Sequence, residues 1–178
     1  MRKSIAILTL IVASLSFAQA QNATLKIGYT NIDYILSMMP ESKQIEADYT
    51  AYEKQLTNQL QAKVQDFQTK GAEYQQNYDK MIPEVRADKE NELRNLQTSI
   101  EKFQRDADAS LQKKRADLLN PAYEKIQLAI DDVAKENGFT HVFSSDIGGM
   151  PVLLYAADSD DISDLVLKKL GVTVPTGN

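Results

Sequence analysis

Apolar residues recur along this chain at two different spacings. "LKIGYT", starting at Leu25, alternates apolar and polar, with Leu25, Ile27 and Tyr29 on one face. That is the period of a short half-buried strand. "NIDYILSMMP" then reads as one short helix, stopped at Pro40 because a proline disfavours helical backbone at the residue before it. From Glu41 to Ile82 turn signals nearly vanish. The apolar stripe there is Ile45, Tyr49, Tyr52, Leu56, Leu60, Val64, Phe67, Gly71, Tyr74, Tyr78 and Met81, every step being three or four residues. This is a helical seam. Three successive steps of four around Leu60 mark a stutter, where a supercoil straightens locally. Gly71 interrupts the stripe at a cost of roughly 1 kcal/mol relative to alanine and marks a candidate flexible point.

Pro83 ends this helix and suits the first turn of the next. A second seam follows through Leu93, Leu96, Ile100, Phe103, Ala107, Leu111 and Leu118. Asn120-Pro121 predicts an interruption without a loop, a kink. A third helical piece carries Tyr123, Ile126, Ile130 and Val133 and stops at Asn137-Gly138, a helix C-cap signal. "FTHVFSS" (139–145) reads as a strand, "DIGGM" as a turn and "PVLLYAA" (151–157) as a further strand. "ISDLVLKKL" closes the pattern as an amphipathic helix.

The two helical stretches, from Glu41 to the break and from Pro83 to Pro121, are nearly equal in length, each reaching roughly 60 Å at helical rise. Two equal helices joined at a proline turn fold back as an antiparallel hairpin. The expected fold class is therefore α+β. A small β-containing body is formed by 21–40 and 121–178, and a helical-hairpin arm, 41–120 with its tip near 79–85, is inserted between its first strand and its C-terminal strands. Pro40 and Pro121 lie together at the arm's base. Three short strands leave bare edges and so small a body buries little, so oligomerisation is the natural remedy. Leu25, Ile27, Tyr29, Val142, Phe143, Val152 and Leu154 are the candidate contact residues of that body.

Composition changes this picture in one respect, the compartment. Arg2 and Lys3 precede an apolar run from Ile5 to Phe17, and Ala18-Gln19-Ala20 supplies a small-x-small cleavage pattern. Residues 1–20 thus read as a cleavable secretory signal, with the mature chain starting at Gln21. The sequence has no cysteine, which rules out a disulfide, a thiol nucleophile and a lipidated cysteine. The mature protein is expected to be soluble, in the periplasm or outside the cell. Loss of Arg2 and Lys3 takes 20 basic residues to 18 against 25 acidic ones, a formal charge of −7 in place of −5. That balance argues against general nucleic-acid binding.

Candidate chemistry is sparse. His141, the only histidine, sits in a predicted strand with no cysteine or second histidine to complete a metal or catalytic set. Asp158, Asp160, Asp161 and Asp164 lack the glycine and distal glutamate of a calcium loop, and helix capping accounts for them more simply. Carboxylates scattered over polar helix faces form no convergent acid–base set, so no enzyme, cofactor or metal is expected. Tyr49 and Tyr52 belong to the seam. For Tyr74, Tyr78, Met81, Ile82 and Val85 near the tip, seam packing and partner contact both remain open.

The order of these pieces resembles the Skp/OmpH family of periplasmic chaperones across essentially the whole mature chain. The resemblance is carried by "KIGYTNIDYIL" with a proline soon after, a long Gln-, Lys- and Glu-rich hairpin, "NPAYEKIQLAIDDVAKENGFTHVF", and "LLYAADSDDISDLVLKKL". It implies a homotrimer whose strands join in a central body, with three hairpins hanging as tentacles around a cavity. It also implies that unfolded outer-membrane β-barrel proteins are held there without nucleotide, metal or catalysis. Tyr74, Tyr78, Met81, Ile82 and Val85 would then be client contacts, and flexing at Pro40, Gly71 or Pro121 would fit the cage to its client. In one respect the chain departs from the family: 66–100 holds seven acidic residues against five basic ones, where the family's better-known tentacles are basic. Lipopolysaccharide binding and electrostatic capture are therefore not carried over. The rival reading is a periplasmic coiled-coil spacer or adaptor for one folded partner.

Overall fold

A computed structural model describes residues 25–173. The expected secretory signal, the expected start at Gln21 and the last five residues lie outside them. In chain order the elements are strand β1 (Ile27–Thr30), helix α1 (Ile32–Met38), helix α2 (Glu41–Asn77), helix α3 (Pro83–Asn137), strands β2 (His141–Ser144), β3 (Asp146–Ile147) and β4 (Met150–Pro151), and helix α4 (Ser163–Lys169). The fold is α+β and mostly helical, with a long hairpin and small strand segments.

Local chemistry sets the joints. The Asn31 side chain accepts a 2.7 Å hydrogen bond from the Tyr34 amide and so caps α1. Met39 is forced extended (φ −69°, ψ 139°) by the proline that follows, and Pro40 itself turns the chain into α2. Two adjacent residues thus separate two helices.

The 37 residues of α2 reach about 56 Å. The seam residues from Ile45 to Tyr74 on α2 and from Leu93 to Leu118 on α3 are half-buried, and no side chain of the arm between Glu41 and Leu119 is fully buried. Cross-helix pairs hold one register. Glu41–Lys125, Lys63–Ser99, Lys70–Glu92 and Tyr74–Glu90 are each centred within one residue of Ile82.

The expected interruption at Asn120-Pro121 is corrected by the structure: α3 runs unbroken through Pro121 for 55 residues. Pro121 is exposed and cannot donate to the Asp117 carbonyl, a loss of about 3 kcal/mol. Beyond it Ala122, Ile126, Ala129, Ile130 and Val133 are all buried. At about 1.5–3 kcal/mol for each large side chain, Ile126, Ile130 and Val133 outweigh the proline. Tyr123, expected among the inward residues, faces out, and Ala122 takes the inward place.

The body's core is built from α1 (Ile35, with Met39 just after it), the end of α3, and Ile162, Val166 and Leu167 at α4. β1 and β2 pair in parallel, Ile27 opposite His141 and Tyr29 opposite Phe143. The face of β1 turned to the core is the one bearing Gly28 and Thr30. Gly28 is inward because the Phe139 ring lies against it, and a Cβ there would come within 2.9 Å of the ring. The buried Thr30 hydroxyl shares a 3.1 Å hydrogen bond with Ser163, whose Oγ also accepts from the Asn31 amide at 3.0 Å. The Asn137-Gly138 stop holds: Gly138 is left-handed (φ 71°) and the Phe139 amide returns to the Ala134 carbonyl at 2.9 Å.

The strand expected over 151–157 does not form within the chain. Gly148 and Gly149, both at positive φ, make a tight turn, and β3 and β4 pair over two residues each. The Val152 and Leu153 amides then both donate to the Ser145 carbonyl, at 2.8 and 3.2 Å. Past that point no strand among the described residues lies alongside. Leu154 and Tyr155 stand 94% and 90% exposed. Of the acidic cluster, Asp161 accepts from the Ser163 amide at 2.8 Å and Asp164 lies in the first turn of α4, while the N-cap position itself is held by Ile162 with no capping side chain.

Candidate functional site

Two surfaces stand out, one at each end of the molecule. At the tip, Tyr78–Lys80 forms one turn of 3-10 helix, Met81 and Ile82 are extended, and Pro83 opens α3. Of the expected tip residues, Tyr78, Ile82 and Val85 are exposed, Ile82 most of all at 61%, while Tyr74 and Met81 are half-buried. The structure brings all five to one end of the arm but gives them different duties.

Tyr74 is tied down. Its hydroxyl donates to Glu90 at 2.6 Å and its ring meets Tyr78 edge-on at 5.6 Å. The hydrogen bond to Glu90, aided by burial and the carboxylate's charge, pushes the phenol up to about 12. The Arg86 guanidinium lies 4.4 Å from the centre of the Tyr78 ring, a cation–π contact, and its Nε is enclosed without a hydrogen-bond partner. One turn further in, Glu92 accepts from both Lys70 and Lys89, the second at 2.9 Å. These two bonds hold its carboxyl down at about 2.

These polar ties were not found from the sequence, whose spacing pairs Glu90 with Arg94 along one helix and where Glu92 and Lys70 enter only as a charge count; the structure gives Glu90 to Tyr74 instead. The signal was available: folding the chain about Met81 and Ile82 sets 70 opposite 92 and 74 opposite 90. What they leave open is an apolar patch of Tyr78, Ile82 and Val85 on an otherwise polar arm.

On the body, the outward face of the β1–β2 sheet carries Ile27, Tyr29, His141 and Phe143, with Leu25 beside it. Ile27, His141, Phe143 and Leu25 are exposed. Val142, on the opposite face, packs against the core. The His141 and Phe143 rings are nearly parallel, 6.4 Å between centres. The Thr140 hydroxyl donates to the Lys26 carbonyl at 2.9 Å and lies 3.2 Å from His141 Nδ1. Burial, and then Asp161, Asp158 and Asp160, raise the Tyr29 phenol above its ordinary value. Among the described residues β2 pairs only with β1, so its other edge is open, as are Val152 and Leu154 nearby in the chain.

Of the candidate hinges, Pro40 joins α1 to α2, Gly71 lies inside α2 and Pro121 inside α3. Among the described residues no group of His, Cys, Asp and Glu is placed to hold a metal ion, and no helix is long and apolar enough to cross a membrane.

A strand, a long inserted helical hairpin, and a return to a parallel partner strand define an α+β arm-and-body protein. A family model described as "Outer membrane protein (OmpH-like)" matches residues 26–170, and the chain belongs to that family. Among solved structures it is similar to a candidate outer membrane chaperone (OmpH-like) from Caulobacter crescentus CB15. The TM-score is 0.65 at 12% identity, over 88% of this chain and 90% of that one. At that identity the likeness speaks for the fold. No curated protein matches the chain.

Proposed function

We propose that the protein is a nucleotide-independent periplasmic chaperone. It holds unfolded outer-membrane β-barrel proteins between the arms of a homotrimer and prevents their aggregation before insertion. The observation that carries this reading is the arm: about 56 Å of helical hairpin with a half-buried seam, ending in the exposed Tyr78, Ile82 and Val85. An arm this thinly packed has no enclosed site for a defined ligand. Its apolar tip suits many weak contacts to an unfolded chain, which retain it by high local concentration. Family membership supports the chaperone class, and so does the fold shared with the Caulobacter protein.

Assembly is supported by the body. Leu25, Ile27 and Phe143 form an open apolar sheet face, and among the described residues β2 has a free edge and "VLLY" (152–155) has strand composition without a strand partner. Val152 and Leu154 of one copy, laid along β2 of the next, would satisfy both. The secretory-signal pattern read in 1–20 supports the periplasm as its compartment.

The test is light scattering when a urea-unfolded outer-membrane barrel is diluted with and without the purified mature protein, no nucleotide being present. Suppression near one oligomer per client supports the proposal. Unchanged scattering with a folded oligomer overturns it and favours a spacer or adaptor for a folded partner.

A further inference from the structure

Gly71 stands at a seam position of α2, between Phe67 and Tyr74, where glycine weakens a helix. A break, a left-handed residue or a close approach of backbone would account for it, and none applies. The helix runs unbroken from Glu41 to Asn77, Gly71 is not among the glycines at positive φ, and a Cβ there would meet nothing within 4 Å. What the missing side chain leaves is an open cleft of about 570 Å³, lined besides Gly71 by Phe67, Gln68, Ala72, Tyr74, Gln75 and Leu93. Clefts at the base of the arm are lined in part by Asp33, Glu46, Asp146 and Arg115, and that at mid-arm by Glu53 and Asp108. No charged residue lines the cleft beside Gly71. The charge around it is one-sided. Glu73, Asp79, Glu84 and Asp88, toward the outer end of the arm, are exposed and in no ion pair among the described residues. Lys70 and Lys89 are held by Glu92, and Arg86 lies against the Tyr78 ring. Of the basic residues in 70–89, that leaves Lys80 uncommitted among the described residues.

We infer that the cleft beside Gly71 receives an aromatic side chain from an extended polypeptide segment, and that a Lys or Arg next to that residue in the segment engages the uncommitted carboxylates. Two of the walls are rings, Phe67 and Tyr74, and rings pack well against rings, offset or edge-on. The exposed carboxamides of Gln68 and Gln75 can accept from an indole N–H or a phenol O–H, or bond the guest's main chain. Glycine at 71 keeps this seat open, because a larger seam residue would fill it from within. The carboxylates lie in water, so their attraction for a flanking base is modest and is screened by salt. For the chaperone proposed above, on which this reading rests, the site names what an unfolded client presents to the arm: an aromatic residue beside a basic one.

The chain has no tryptophan, so a guest indole can be read without background. The probe is a short Gly/Ser peptide carrying Lys-Trp-Lys, titrated against the full mature oligomer at low salt. Its tryptophan emission should shift to the blue and saturate. The same peptide with Glu-Trp-Glu should bind about tenfold more weakly, and the gap should narrow in high salt. Lys-Leu-Lys should compete about tenfold less well than Lys-Trp-Lys. Gly71→Leu fills the cleft and favours the helix, so it should abolish the blue shift while helix content and oligomer mass are retained. Glu73→Gln with Asp79→Asn should reduce the preference for Lys over Glu and leave the emission of the bound indole unchanged. No saturable shift up to millimolar peptide, or an unchanged shift with Gly71→Leu, overturns the inference. So does equal binding of the Glu-flanked or leucine peptide, or a Lys preference that the double variant does not move. The titration uses no barrel protein. If it fails while aggregation of an unfolded barrel is still suppressed, holding stands and the cleft has no part in it.

Discussion

The Tyr74 hydroxyl reaches across the hairpin to the Glu90 carboxylate at 2.6 Å, linking residues on opposite sides of the proline turn. An arm with no fully buried side chain is thereby given a defined register near its end. The phenol is pushed up to about 12 chiefly by this bond. In a spectrophotometric titration, Tyr74 should ionise after the ordinary tyrosines. Glu90→Gln should bring that late phase down, and Tyr74→Phe should abolish it.

Glu92, held at about 2 by Lys70 and Lys89, makes the arm acid-sensitive. Its carboxyl in the unfolded chain has the ordinary value of 4.5. A carboxylate depressed on folding contributes stability that is present above the unfolded value and is lost as pH falls through the folded one. The loss should run from about pH 4.5 to about pH 2. Both lysines are accessible to water, so salt should weaken the effect. Thermal unfolding followed by circular dichroism at pH 7, 4, 3 and 2 should show a declining midpoint, and Glu92→Gln should flatten the decline.

Gly28 is a packing constraint of the body. The Cβ of Gly28→Ala would meet the Phe139 ring at 2.9 Å and the Asp160 carbonyl at 3.3 Å. Overpacking of this kind costs about 1–3 kcal/mol. Urea unfolding of Gly28→Ala should show that loss, and Phe139→Leu in the same chain should recover part of it.

Ile82 and Val85 are open to solvent, and Tyr78 gives up only its contacts with the Tyr74 ring and the Arg86 guanidinium, so changing the three should leave the hairpin formed. Tyr78→Ser, Ile82→Asp and Val85→Asp together are expected to preserve helix content and oligomer mass. Protection of an unfolded barrel in the scattering assay should fall several-fold. Full protection by the triple variant would move the client contacts off the tip.

The hairpin was legible because its information is periodic. The seam positions from Ile45 to Leu118 repeat at helical spacing, Pro83 sits where a helix tolerates it, and the turn at Tyr78–Lys80 falls at the expected tip. Where long-range packing decides, local signals misled. Pro121 reads as an interruption, yet the helix continues because Ile126, Ile130 and Val133 beyond it are buried in the body. "PVLLYAA" has strand composition, but a strand needs a neighbour and the described residues provide none. The alternation in "LKIGYT" gave the period and not the direction. The Phe139 ring, more than a hundred residues away, turns Gly28 inward and leaves Ile27 outside. The tip ties escaped notice because pairing between helices depends on a register that exists only once the turn is placed.

β1 and β2 are hydrogen-bonded neighbours separated by the whole of 31–140. Their parallel pairing does not depend on how far the chain travels before it returns, only on its two ends meeting at the base. Arm length is therefore a dimension that can drift independently of the body. Matched deletions of seven residues from α2 and from the facing part of α3 keep the seam in phase. Unequal ones shift one helix against the other, and the two strands can then no longer find each other. Insertions and deletions in lineages carrying this architecture should come in such matched pairs, and the reach of the arm becomes a quantity that evolution can tune to the bulk of what it must enclose.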